Sequence, residues 1–386
     1  MTSSTRNPKV PAALGYRMPA EWEPHASTWL AWPHFKDDWP GKFEPIPWVY
    51  AEIIRNLARH ERVDLIVKNE RAEKSAQATL KLANALSKNV VFHRWPTDRV
   101  WTRDSGCIFL TNTAPCPSPS KRASSPSNIT MSADRSQPAT SNQQLGALHF
   151  RFNAWAKYDN YQLDAKVGGR MAKTAGARVI HPLHNDERVV LEGGSIDVNG
   201  RGTLLTTEEC LLSKIQQRNP KMSRTEYEQM FADYFGISSV IWLGDGIAGD
   251  DTHGHVDDLS RFVSPNTVVT MFEPNPQDEN HAALRHNLGR LKAARDQDGR
   301  KLNVVEIPMP RPVAFEGRRL PASYANFYIA NRCVLVPVFN DPNDRAALNT
   351  LAELLPAHEI IPIYAGDLVW GLGTLHCMTQ QQPSAG

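Results

Sequence analysis

The sequence predicts an α/β fold. Helical and strand patterns alternate along most of the 386 residues, and hydrophobic content of 41% with 22% charge fits a soluble globular protein. Roughly five α/β units fit this length, although no strict sequence repeat marks them.

The elements follow in order. Pro47 to His60 sets Val49, Ile53, Ile54 and Leu57 on one helical face. Arg62 to Lys68 reads as a strand, Arg71 to Ser87 as a polar, Ala-rich helix, and Val90 to Trp95 as a strand. Strands are expected at Gly106–Leu110 and Ala147–Phe152, then at Val189–Val198 and Gly202–Thr206. Helices over Glu208–Gln217 and Arg224–Phe235 precede a strand at Val240–Leu243. Val268–Phe272, a helix over Asp278–Ala294 and Asn303–Ile307 form the next unit. The last comprises Phe327–Ala330, Cys333–Val338, a helix at Asp344–Leu355 and a strand at Glu359–Ile363.

One stretch breaks the pattern. Residues 113–144 are rich in Ser, Pro, Thr and Asn, and such a segment buries too little apolar surface to offset its ordering entropy. We expect a disordered insert there, a flexible tail over residues 1–10, and one catalytic domain over residues 11–386.

The net charge of +2 argues against an electrostatic nucleic-acid or membrane binder. No apolar run reaches the roughly 20 residues that span a bilayer, and Met1 to Pro11 lacks the apolar core of a secretory signal. Cys107, Cys116, Cys210, Cys333 and Cys377 form no CxxC pair, so free thiols in a reducing, cytoplasmic setting are expected. Monomer and homo-oligomer both stay open.

Four clusters carry chemistry. Cys377 follows a Gly-rich turn and sits among Thr and Gln, unlike an ordinary core thiol. Adjacent residues on a strand face opposite ways, so its histidine partner is expected elsewhere than His376. His255 lies in the polar run from Gly249 to Asp258; on a strand it would share a face with Asp257. Glu192 ends an apolar run before Gly193-Gly194, where a close approach is sterically allowed. Asp104 follows Trp101-Thr102-Arg103. Each has a plain alternative: a core thiol, a solvated turn, an edge carboxylate, a local Arg–Asp pair. A further reading takes His253, His255 and Asp257 as an HxHxD metal set. Together, however, a thiol, an imidazole and several carboxylates suit attack on a guanidinium carbon. Carboxylates hold its plane and its charge, a thiolate attacks, and a histidine handles the protons.

The chain resembles the agmatine deiminase and bacterial-type peptidylarginine deiminase family. The resemblance runs through Met18-Pro19-Ala20-Glu21-Trp22-Glu23-Pro24-His25, Trp101-Thr102-Arg103-Asp104-Ser105-Gly106, Leu191-Glu192-Gly193-Gly194, Asp250 to Asp257, Leu320-Pro321-Ala322-Ser323-Tyr324 with Asn326-Phe327, and His376-Cys377-Met378-Thr379. It implies the pentein α/β-propeller, five ββαβ-type modules around a pseudo-fivefold axis, with the active site in a central channel and neither metal nor other cofactor. It implies Cys377 as nucleophile, His255 as general acid/base, Glu192 as substrate ligand and support for the histidine, and Asp104 and Asp257 as the guanidinium clamp. The implied reaction turns agmatine into N-carbamoylputrescine and ammonia through a thiouronium intermediate, on the way to putrescine; peptidyl or free arginine is the alternative substrate. Trp101 is a candidate cation–π partner for the substrate. Three positions depart from the family's usual pattern: Cys107 for proline, Ala156-Lys157 for a Gly pair, and Thr374 for Asn.

Overall fold

The computed structural model describes residues 10–112 and 145–385. The expected insert at 113–144 and all but the last residue of the expected tail lie outside the described residues.

The chain is α/β, with open, mixed sheets. β1 (His25–Ala31), α1 (Ile46–Leu57), β2 (Arg62–Val67), α2 (Glu70–Leu82) and β3 (Val90–Arg94) form three parallel strands with helical crossovers. A one-turn helix, α3 (Thr102–Ser105), leads to β4 (Ile108–Thr111), antiparallel to β5 (Leu145–Leu148). α4 (Val167–Thr174) then returns the chain to β6 (Arg178–Ile180), parallel to β5. After the hairpin β7 (Leu183–His184) and β8 (Glu187–Arg188), β9 (Asp197–Val198) pairs antiparallel with β10 (Thr203–Thr207). α5 (Glu208–Leu212) and α6 (Arg224–Phe235) cross to the parallel β11 (Ser239–Leu243). The fourth unit is β12 (Ser260–Ser264), β13 (Thr267–Phe272), α7 (Glu279–Ala293) and β14 (Asn303–Pro308). After the hairpin β15 (Ala314–Phe315) and β16 (Arg318–Arg319) come β17 (Tyr328–Ala330), β18 (Cys333–Val338), α8 (Asp344–Leu354) and β19 (Glu359–Tyr364). β20 (Gln380–Pro383) closes the first sheet, antiparallel to β1. Among the described residues, five sheets thus share one plan: an antiparallel pair, a helical crossover, a parallel third strand.

Local chemistry explains the element ends. α6 starts at a capping box in which Ser223 accepts from the Glu226 N–H and Glu226 accepts from the Ser223 N–H, and it stops at Gly236 with φ +75°. α2 starts where Asn69 caps the Ala72 N–H. Helices pack their apolar faces onto the sheets; Ile53, Ile54 and Leu57 of α1 are fully buried. No helix among the described residues is long and apolar enough to cross a membrane.

Three expectations change. Val189–Val198 is not one strand, because Gly193-Gly194-Ser195 turns the chain and only Asp197–Val198 joins a ladder. The helix from Glu208 stops at Leu212, since Ser213 is already extended at ψ 152°. The strand expected to reach Phe152 ends at Leu148.

Candidate active site

The five antiparallel first strands are each preceded by a short turn, loop or one-turn helix, and these segments meet. They carry Asp104 before β4, Glu192 before β9, His255 and Asp257 before β12, Asn326 before β17, and Cys377 before β20. The structure brings all five residues expected to do chemistry into one buried cluster.

Gly194 shows how tightly they converge. A Cβ at this position would lie 2.5 Å from His255 Nδ1, 3.0 Å from Asp257 Oδ2 and 3.1 Å from Asp104 Oδ1. Only a residue without a side chain fits here. The Gly194 N–H donates to Asp104 Oδ1 at 3.0 Å, and the indole N–H of Trp155 donates to Asp104 Oδ2 at 2.9 Å. Trp155 reaches that point because residues 154–156 all have positive φ, near +50° to +58°.

His255 is held between two carboxylates. Its Nδ1 lies 3.9 Å from Asp104 Oδ2, and its Nε2 lies 3.9 Å from Glu192 Oε2. These are ion contacts rather than hydrogen bonds. Burial opposes a charged imidazole, but Asp104, Cys210 and Glu192 outweigh it and raise the His255 pKa well above its ordinary value. Glu192 is also buried, which alone would raise its pKa; the Arg218 guanidinium, donating from Nε to Oε1 at 3.0 Å, and His255 bring it down to about 2. Among the described residues, Glu192 Oε2, Asp257 Oδ1 and both ring nitrogens of His255 make no hydrogen bond.

Cys377 Sγ lies 3.8 Å from Asp257 Oδ2. Burial, then Asp257, Asp258 and Asp104, push its thiol well above the ordinary value. The side chain borders a cavity of about 420 Å³ whose walls include Trp101, Asp104, Trp155, Asp251 and Trp370. That volume suits a small molecule. Trp101 lines this cavity, with its ring 5.7 Å from that of Trp39.

Three further readings are corrected. His255 and Asp257 do not share a strand face. Val256–Asp258 forms a 3-10 turn with His255 at its N-cap, and they converge through that turn instead. His376 does not point away from the site, because residues 375–378 form a turn rather than a strand. Its Nδ1 meets Asp257 Oδ2 at 2.6 Å and its Nε2 meets Glu21 Oε2 at 2.8 Å. The HxHxD residues do not gather as one ligand set: His253, at φ +65°, turns its Nε2 to Ser213 Oγ at 3.1 Å and its Nδ1 to Glu209 Oε1 at 3.5 Å. Donor atoms that do cluster within 4.8 Å are those of Glu192, Cys210 and His255, and those of Asp257, Asp258 and Cys377.

Sequence reasoning missed Glu21, Arg218, Cys210, Asn326 and His376. Buried charge was the available signal: the carboxylate of Glu21 and the ion pair of Arg218 are fixed through partners distant in the chain. Of the three departures, Cys107 is a buried free thiol, Lys157 pairs with Asp251 at the cavity, and Thr374 donates to Asn326 Oδ1 at 2.8 Å.

Comparison with known proteins matches residues 17–383 to the family described as Porphyromonas-type peptidyl-arginine deiminase. An agmatine deiminase of Pseudomonas syringae pv. tomato is 33% identical over 97% of this chain and 97% of its own. The agmatine deiminase of Enterococcus faecalis superposes with a TM-score of 0.83 at 27% identity, covering 98% of each chain. A cysteine-to-serine variant of the C. jejuni agmatine deiminase with substrate bound superposes at 0.78 with 29% identity, covering 96% of each.

Proposed function

The chain belongs to the Porphyromonas-type peptidyl-arginine deiminase family, and from that premise we propose that this guanidine hydrolase is an agmatine deiminase. The observation that carries the reading is the convergence of Asp104, His255 and Asp257 on Gly194, beside a thiol that borders a small cavity. The agmatine deiminase names of full-length relatives at 32–33% identity support the substrate. We take the fold as pentein, with the five units of common plan arranged about a pseudo-fivefold axis and residues 11–386 as one catalytic domain.

The mechanism we propose starts with the guanidinium lying against Asp104 and Asp257. Its positive charge enters beside a thiol that burial and the neighbouring Asp257, Asp258 and Asp104 hold protonated, so substrate binding itself favours the thiolate, whose proton leaves to solvent. Cys377 Sγ attacks the guanidinium carbon and forms the C–S bond. His255, cationic between Asp104 and Glu192, gives its proton to the departing nitrogen, and ammonia leaves. The now neutral imidazole takes a proton from water, whose oxygen adds to the thiouronium carbon. The C–S bond breaks, releasing N-carbamoylputrescine, and the proton returns to the enzyme. Trp101 faces the alkyl chain or its terminal ammonium in this scheme. The product is a putrescine precursor, which sets the reaction in polyamine synthesis.

The test is ammonia release from agmatine, free arginine and a blocked arginine peptide. Agmatine should exceed the others in kcat/KM by about 100-fold or more, a preference that a site built around one end group sustains. A higher value for either arginine substrate overturns the agmatine assignment. Cys377→Ser should remove turnover and leave the melting temperature in place.

A further inference from the structure

Each of the five units delivers a segment to the site, and Asn326 comes from the fifth, the one unit to which the mechanism assigns no group. Asn326 is 1% exposed. Its Oδ1 accepts from Thr374 Oγ1 at 2.8 Å, from the His376 N–H at 3.0 Å and from the Cys377 N–H at 3.4 Å. Backbone N–H groups can only donate, so the amide orientation is fixed. Nδ2 must then face the other way, where it donates to Asp258 Oδ1 at 3.0 Å and to Cys377 Sγ at 3.1 Å.

We propose that Asn326 is a catalytic residue, which donates an amide hydrogen to the Cys377 sulfur and stabilises it as the attacking anion. This rests on Cys377 being the nucleophile. The surroundings give the donor its importance. Asp257, Asp258 and Asp104 face the sulfur with carboxyl groups that disfavour an anion. The basic side chains nearby are engaged elsewhere: His376 with Asp257 and Glu21, Arg103 with Gln381 and Glu21, His255 with Asp104 and Glu192. The amide is a neutral donor that favours the thiolate without drawing a carboxylate away from the substrate. Thiol acidity follows the same cause, since Asn326 pulls the Cys377 value down against burial and the three acids.

The experiment is iodoacetamide labelling of the full-length enzyme without substrate, followed at the Cys377 peptide by mass spectrometry from neutral to alkaline pH. Asn326→Asp keeps an acceptor for the turn and removes the donor. Asn326→Ala removes the donor without adding charge; Asn326→Ser replaces it if the alanine variant does not fold. Both the acidic and the neutral variant should label about tenfold more slowly at neutral pH, with the curve moved to higher pH, as expected for loss of a hydrogen bond to a charged group. Thr374→Val cuts a bond to Oδ1, keeps the donor, and should follow the wild-type curve. A shift in the acidic variant alone is a charge effect and overturns the proposal, as does superposition of all curves. Failure of every Asn326 variant to fold makes the amide a strut of the turn and overturns it too. Agmatine protection of wild-type Cys377 is read in parallel: its absence, with the shifts intact, sinks the substrate reading and leaves the role of Asn326 standing.

Discussion

Glu192 joins catalysis to stability at a single carboxylate. It sits at about 2 because Arg218 and His255 offset its burial, against an ordinary value of 4.5. A depressed folded-state pKa contributes stability that is fully present above 4.5 and is lost as the pH falls through about 2. Glu192→Gln leaves the Arg218 guanidinium buried without its charge partner, a change that costs about 3–5 kcal/mol at neutral pH. The stability gap between the variant and the wild type should therefore close as the pH falls from 4.5 to about 2, which urea titrations at a series of pH values would measure. A gap independent of pH would mean that charge is not its origin. Gly194 tests geometry in the same way. An added Cβ 2.5 Å from His255 Nδ1 displaces the ring, so Gly194→Ala should lose about 100-fold or more in kcat/KM. At this scale the sequence was informative where reactive side chains stood beside glycines, in polar runs at His255 and Cys377 and at the end of an apolar run at Glu192. It was silent on Asn326, whose importance comes from partners about 50 residues away.

Secondary-structure elements place those side chains with little regard for loop length. β4 and β5 pair Thr111 with Leu145, so the two ends of the 113–144 segment leave adjacent positions in one ladder. A tight hairpin turn spans such a pair. Loop length changes closure entropy by only about 0.6 kcal/mol per doubling. Replacing residues 113–144 by a short Asn-Gly turn should keep both the melting temperature and the KM for agmatine. A raised KM with unchanged melting would show that the segment acts on the substrate. Patterned elements were legible: α1, α2, α6, α7 and α8 all fall within a few residues of their expected positions. β1, β12 and β20 were not. Gln380-Gln381-Gln382 gives no apolar signal, yet these residues are buried because Gln382 Oε1 accepts from Trp29 Nε1 at 3.1 Å and Gln381 Oε1 accepts from Arg103 Nη1 at 2.7 Å. The hydrogen-bonded amides of Gln381 and Gln382 substitute there for hydrophobic alternation.

Across the whole molecule, Glu21 ties distant units together. Its carboxylate accepts from Arg261 Nη2 and the Ile329 N–H, each at 2.8 Å, from Arg103 Nη2 at 3.2 Å, and meets His376 Nε2 at 2.8 Å. Those partners belong to four of the five units. Glu21→Gln keeps the shape but removes the charge that compensates two buried arginines. We expect a loss of about 3–5 kcal/mol, read as a fall in the denaturant midpoint, together with reduced turnover because His376 also orders Asp257. A stability change confined to a few tenths of a kcal/mol would show that the charge is dispensable. Alternation gave the α/β class, but a tie of this kind depends on contacts between residues 82 to 355 positions apart.

The pairing of β1 with β20 also sets a clock. Ser27 and its partner Gln382 are 355 residues apart. A ribosome adding about 5–20 residues per second needs roughly 20–70 s to travel that distance. For all that time one edge of β1 is an unpaired template for other strands, the feature that invites misassembly. Cys377 is made just before β20, so a growing chain acquires its chemistry only as the second edge of β1 gains its partner.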